Sequence, residues 1–222
     1  MVYDPGPLAV LQAERHNPNH DSHGKFAPAP GGGATPLSGA DAHGAALHKG
    51  PLSDTAHEAV NEYGSSGHRE TNTMLRKNKG EISEDHGDRY SARVTRGMDE
   101  AMAGQSLPHD IVVTRGVAST HAMLGGHEPA VGLTYVDHGF VSTSTAPGTY
   151  HLTGITPGGA QLRITAPKGT KAFSVPNPVG YERPLLDRGE VVLNRGLTYR
   201  MTRVSEPDSY GVRHIDVEVV PS

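Results

Sequence analysis

The chain has 222 residues, room for one domain of ordinary size plus an appendage. Only 35% of it is apolar, against 28 Gly and 17 Pro, so a sizeable part is not expected to pack, and a net charge of -4 provides no bulk footprint for nucleic acid. The absence of cysteine excludes a disulfide scaffold and thiol chemistry.

Taken in chain order, the first stretch differs from the rest. The opening MVYDPGPLAVLQAERH lacks the basic flank and long apolar core of a signal peptide, and no apolar run approaches the ~18 residues of a membrane-spanning helix. A soluble protein without a membrane partner is expected. Residues 1–50 are predicted to be mostly disordered, because RHNPNHDSHGKFA and the Gly-, Pro- and Ala-rich PAPGGGATPLSGADAHGAALHKG cannot bury enough apolar surface to repay chain ordering. The Asn-Pro-Asn-His-Asp start with its later Gly-Lys-Phe-Ala resembles a short element at domain junctions of tailed-phage head-associated proteins. That resemblance implies a phage or prophage origin, with action in a host cytoplasm or on a virion. His16, His20 and His23 have helical metal-ligand spacing, but Pro18 interrupts the first pair and no helical apolar pattern surrounds them, so no metal is expected.

From residue 51 to 222 a folded domain is predicted. Ser53 is a plausible N-cap, with Asp54 in the first turn, for a helix running to about residue 63. A second helix is expected over 68–77. A third spans 89–102, where Val94, Met98, Ala101 and Met102 form a stripe. After Pro108 the pattern changes to strands at 111–117, 139–145, 161–166, 171–175, 190–194, 197–206 and 212–220. Helices first and strands after indicate α+β.

Three of those strands carry one polar or charged residue each on a β-branched run. They are IVVTRG with Arg115, GFVSTST with Ser142, and GEVVLNRGLTY with Glu190. A guanidinium, a hydroxyl and a carboxylate gathered by a sheet suit a phosphate-bearing substrate that develops positive charge. In this order they resemble the arginine-serine-glutamate class of mono-ADP-ribosyltransferases, toxin-like enzymes that cleave NAD and pass ADP-ribose to a target. The segment AHEAVNEYGSSGHRETNTMLRK resembles the family's first helices, where an aromatic residue is followed by an Asn-x-x-Leu-Arg element, here Asn72, Leu75 and Arg76. QLRITAPKG resembles its next strand and Pro-Lys-Gly turn.

The resemblance implies two packed, mostly antiparallel sheets with an NAD cleft between them, with NAD as substrate and no metal. By it, Arg115 holds the NAD phosphates with help from Arg76, Gly116 meets the nicotinamide amide, and Asn72 shapes the adenosine side. Ser142 orients Glu190, which stabilises the oxocarbenium-like charge, and Ser142, Thr143 and Ser144 on the same strand contact the NAD. Each residue also has a plainer reading. Arg115 could pair with Asp110 or Asp137, Gly116 could mark a bulge, Ser142 to Ser144 could form an edge strand, Asn72 could be an exposed helix residue, and Glu190 could face solvent.

One position departs from the family. Where many members place a glutamate or glutamine two residues before the catalytic glutamate, this chain has Arg188, which cannot act as a base at neutral pH. Glu182 or Asp187 could substitute for it, or Arg188 could face an acidic acceptor. Tyr181 resembles the family's target-contacting aromatic. The expected reaction is therefore transfer to a macromolecule, in the first place a host protein. NAD hydrolysis with water as acceptor is the first alternative, and a phage head-associated module with weak activity is the second. Nucleic acid ranks lower as a partner, since Glu182, Asp187 and Glu190 offset Arg183 and Arg188.

Overall fold

The computed structural model describes residues 35–146, 157–174 and 189–221. His16, His20 and His23, together with Tyr181, Glu182, Asp187 and Arg188, lie outside the described residues. From Pro36 onward the chain forms one compact unit of helices followed by an eight-stranded sheet.

The helices form where capping and periodicity place them. Helix α2 (Asp54–Glu62) starts at Ser53, whose hydroxyl accepts from the Ala56 amide at 3.1 Å, a cap contributing about 1 kcal/mol. It runs through a π turn at Tyr63–Gly67 directly into α3 (His68–Lys77). Helix α4 (Arg89–Met102) buries the predicted Val94, Met98, Ala101 and Met102 stripe against them. A methyl at Gly97 would overlap Ala59, so this glycine allows α2 and α4 to approach closely.

The strands are β1 (Ile111–Val117), β2 (Thr134–Asp137), β3 (Val141–Ser144), β4 (Ala160–Ala166), β5 (Ala172–Ser174), β6 (Glu190–Leu193), β7 (Leu197–Val204) and β8 (Arg213–Val219). Their order is β2-β7-β8-β4-β1-β3-β6-β5, antiparallel except for the β4–β8 pair. The two expected sheets are present as a five-stranded half, β2 to β1, and a three-stranded half, β3-β6-β5. Main-chain pairing at Thr114 and Ser144 makes them continuous.

Strand alternation divides the core in two. Val141, Val191 and Leu193 join Ile111, Val113, Leu162 and Ile164 of the five-stranded half, whereas Val192 and Phe173 pack with Tyr63, Leu75 and Met98 of the helices. The three-stranded half therefore has a sheet on one face and helices on the other.

The expected boundary at residue 51 is too late. Residues 39–45 form a short helix, α1 (Gly39–Ala45), with Ala42 and Ala46 fully enclosed in the first core. Leu37 pairs with Ile111, accepting from the Val112 amide at 2.8 Å and donating to Asp110 O at 2.8 Å. Small alanines fill a narrow space beside β1 and β5, so a segment with little apolar bulk is held by fit and main-chain bonds. A further short helix, α5 (Thr120–Met123), and strand β2 are also additional to the expected elements.

Candidate functional site

Arg115 lies near the end of β1, on the same face as Ile111 and Val113 and opposite Leu162. Beyond the last core residues that face opens into a cleft of about 700 Å³, lined by Arg115, Gly116, Tyr135, Val141, Leu162 and Tyr199 among others. Both halves of the sheet contribute to its walls. Arg115 Nη1 donates to the Ser142 carbonyl at 3.3 Å. Asp137 is bound instead by Arg76, through Nε at 2.9 Å and Nη2 at 3.0 Å, and Asp110 accepts from the Lys168 amide at 2.7 Å. Among the described residues Arg115 has no carboxylate partner in an ion pair. Gly116 sits in an unbroken ladder opposite Gln161, so it is not a bulge, and it lines the cleft.

Strand β3 is interior, with β1 on one side and β6 on the other, so its hydroxyls do not belong to an edge strand. Ser142 opposes Val192 and Ser144 opposes Glu190, and directly opposed residues share a face. Ser142, Ser144 and Glu190 thus lie together on the helix side, with Glu190 diagonal to Ser142 and directly across from Ser144. Thr143 and Ser144, expected to touch the substrate, are instead fully buried and bound to main chain. The Thr143 hydroxyl donates to Val191 O at 2.6 Å, and the Ser144 hydroxyl accepts from the Ala146 amide at 3.0 Å.

Tyr63 links these groups. Its hydroxyl donates to Phe140 O at 3.2 Å and accepts from Asn72 Nδ2 at 3.0 Å, with the Ser142 side chain close by. Burial pushes its pKa up, while the Ser142 and Asn72 side chains and the Arg115 charge pull it down, and the Glu190 charge raises it again. The net direction is upward, so the phenol stays protonated. The aromatic residue before the Asn-x-x-Leu-Arg element was the only sequence signal for Tyr63, and its placement depends on the π turn, which has no simple signature.

Asn72 and Arg76 are both held by partners within the protein. Asn72 is only 7% exposed and is not among the cleft-lining residues. Its Nδ2 donates to Phe140 O at 3.0 Å and its Oδ1 accepts from Phe140 N at 2.8 Å, so it clamps the main chain entering β3. A side-chain amide reproduces one rung of a β-ladder there. Arg76 does line the cleft, but its fork is engaged by Asp137. Burial lowers its pKa, the Asp137 bond and charge more than offset this, and the net shift is upward. Gly139, whose amide also binds Asp137 at 2.9 Å, leaves no space for a methyl between Asn72 and Arg76.

The comparisons with known proteins place the fold and the family. The family model described as ADP-ribosyltransferase exoenzyme matches residues 41–220. The Clostridium limosum C3 exoenzyme superposes with a TM-score of 0.64 at 17% identity, covering 84% of this chain and 97% of that one. C3stau2 from S. aureus, solved with NAD, gives 0.64 at 19% identity over 86% and 100%. The ADP-ribosyltransferase Vis, solved with agmatine, gives 0.57 at 18% identity over 82% of each chain. No curated protein matches the chain by sequence. With the family model spanning most of the chain and the same fold in these structures, the chain belongs to the ADP-ribosyltransferase exoenzyme family and is an NAD-dependent ADP-ribosyltransferase.

Proposed function

We propose that this protein is a mono-ADP-ribosyltransferase of the arginine-serine-glutamate class, which cleaves NAD at the nicotinamide glycosidic bond and transfers ADP-ribose to a macromolecular acceptor, in the first place a host protein. The observation that carries this reading is the placement of Arg115, Ser142 and Glu190 on adjoining strands at the seam of the two sheet halves, with Arg115 donating to the Ser142 carbonyl and Glu190 diagonal to Ser142 on the next strand. Arg115, without a carboxylate partner among the described residues, offers a bidentate fork to the pyrophosphate. Gly116 leaves the cleft wall open to the nicotinamide amide.

As the bond from ribose C1′ to the nicotinamide nitrogen breaks, its electron pair leaves with neutral nicotinamide and positive charge grows on the ribose. The Glu190 carboxylate, held beside Ser142 and Ser144, stabilises that charge. A nucleophile on the acceptor then attacks C1′ and loses a proton. Arg188 stands where an acceptor-side base would be expected, and this favours water as a second acceptor, with free ADP-ribose as product. Labelled NAD incubated with the purified chain, with and without host lysate, distinguishes the two by whether label enters macromolecules. Glu190→Gln should lower NAD cleavage at least ~100-fold in either case, and unaltered cleavage would sink the site assignment.

A further inference from the structure

Glu190 is the first residue of β6, and its position depends on what grips the main chain there. On one side Gly189 accepts from the Thr145 amide at 2.9 Å, in a left-handed conformation (φ 50°) where a side chain would overlap the Thr145 hydroxyl. On the other side stands Ser174, the last residue of β5, which is completely buried. Its hydroxyl donates to the Glu190 carbonyl at 3.1 Å and is also hydrogen-bonded to His43 Nε2. A serine hydroxyl has one proton. With that proton given to Glu190 O, His43 must donate from Nε2, which assigns the Nε2–H tautomer by its network.

His43 belongs to α1, the helix formed by the segment that composition assigned to the appendage. The same segment is tied to Ser174 a second time, through the Ser174 amide donating to Ala46 O at 2.6 Å and the pairing of Leu47 with Ser174. A linked series thus runs from α1 through His43 and Ser174 to the backbone of Glu190.

From this we infer that His43 and Ser174 are positioning residues for Glu190: the N-terminal helix sets the placement of the charge-stabilising carboxylate through the Ser174 hydroxyl. The inference rests on the catalytic role of Glu190 given above. A carboxylate stabilises developing charge only when held in place beforehand, and loosening its main chain affects the transition state more than the bound substrate. Neither residue lies on the cleft wall, so their loss should leave NAD binding alone.

The test compares full-length His43→Leu, Ser174→Ala, His43→Gln and Glu190→Gln with the wild type, with kcat and KM for NAD cleavage measured well below each variant's melting temperature. His43→Leu and Ser174→Ala should lose about tenfold in kcat with KM within about twofold, and His43→Gln, which retains a side-chain N–H donor, should recover most of the loss. Unchanged kcat in both, a KM change of equal size, or no difference between His43→Gln and His43→Leu would overturn the positioning role while Glu190→Gln remains inactive. An active Glu190→Gln would overturn the site assignment itself, and this inference with it.

Discussion

Removing the Asn72 side chain should loosen the turn that delivers Ser142. Asn72→Ala deletes three buried hydrogen bonds, two to the Phe140 main chain and one to the Tyr63 hydroxyl. The Phe140 carbonyl keeps its bond from Tyr63, but its amide loses its partner inside a packed site. An orphaned buried amide costs about 1–3 kcal/mol and each lost neutral bond about 1 kcal/mol net, and these overlap, so a total of about 2–4 kcal/mol is expected. For a domain of this size that is a fall of about 5–15 °C in melting temperature. Thermal unfolding followed by circular dichroism measures it, with urea unfolding as a check that the slope is unchanged. The clamp also sets the start of β3, so NAD cleavage should fall in the folded variant. A shift of less than about 2 °C with full activity would refute the view that Asn72 fixes this turn.

Other predictions concern the cleft and its surroundings. Gly139→Ala places a methyl against Asn72 and Arg76 and should lower the melting temperature by several degrees, read in the same scan, at a site where the side chain rather than φ is the obstacle. Arg115→Lys retains a charge but loses the fork, and calorimetry should show NAD affinity weaker by about tenfold or more. Deleting residues 1–34 should leave the melting temperature unchanged, whereas deleting 1–49 removes α1 with its buried alanines and should lower it by about 5 °C or more. If Arg188 occupies the acceptor-side position proposed above, it would repel a guanidinium and could not take its proton, so arginine mimics such as agmatine should be poor acceptors and Arg188→Glu should raise their labelling.

Where periodicity was strong, the sequence was a good guide to local structure. The α4 stripe and the Ser53 cap gave their helices with correct ends, because both signals are local. Strand β2 was not legible: Thr-Tyr-Val-Asp is a four-residue edge strand bonded only to β7, and its partners lie sixty or more residues away. Helix α1 was read as part of an unstructured segment, since its stability comes from alanines fitted beside β1 rather than from apolar mass. At the site, residue identities identified Arg115, Ser142 and Glu190. The register that puts Ser144 rather than Ser142 directly across from Glu190, and the Tyr63 hydroxyl beneath them, depend on contacts between distant segments that no local pattern encodes.

The union of the two sheet halves at Thr114 and Ser144 has a mechanical consequence. Arg115 belongs to the five-stranded half, and Ser142 and Glu190 to the three-stranded one. A molecule gripped at one end by Arg115 and at the other by the Ser142–Glu190 group would act as a cross-link at the seam where the backbone supplies the least connection. Cleaving such a molecule cuts the cross-link, so the halves would be bound most firmly before the reaction and released by it, and amide exchange at Thr114 and Ser144 should slow with NAD and recover as it is consumed.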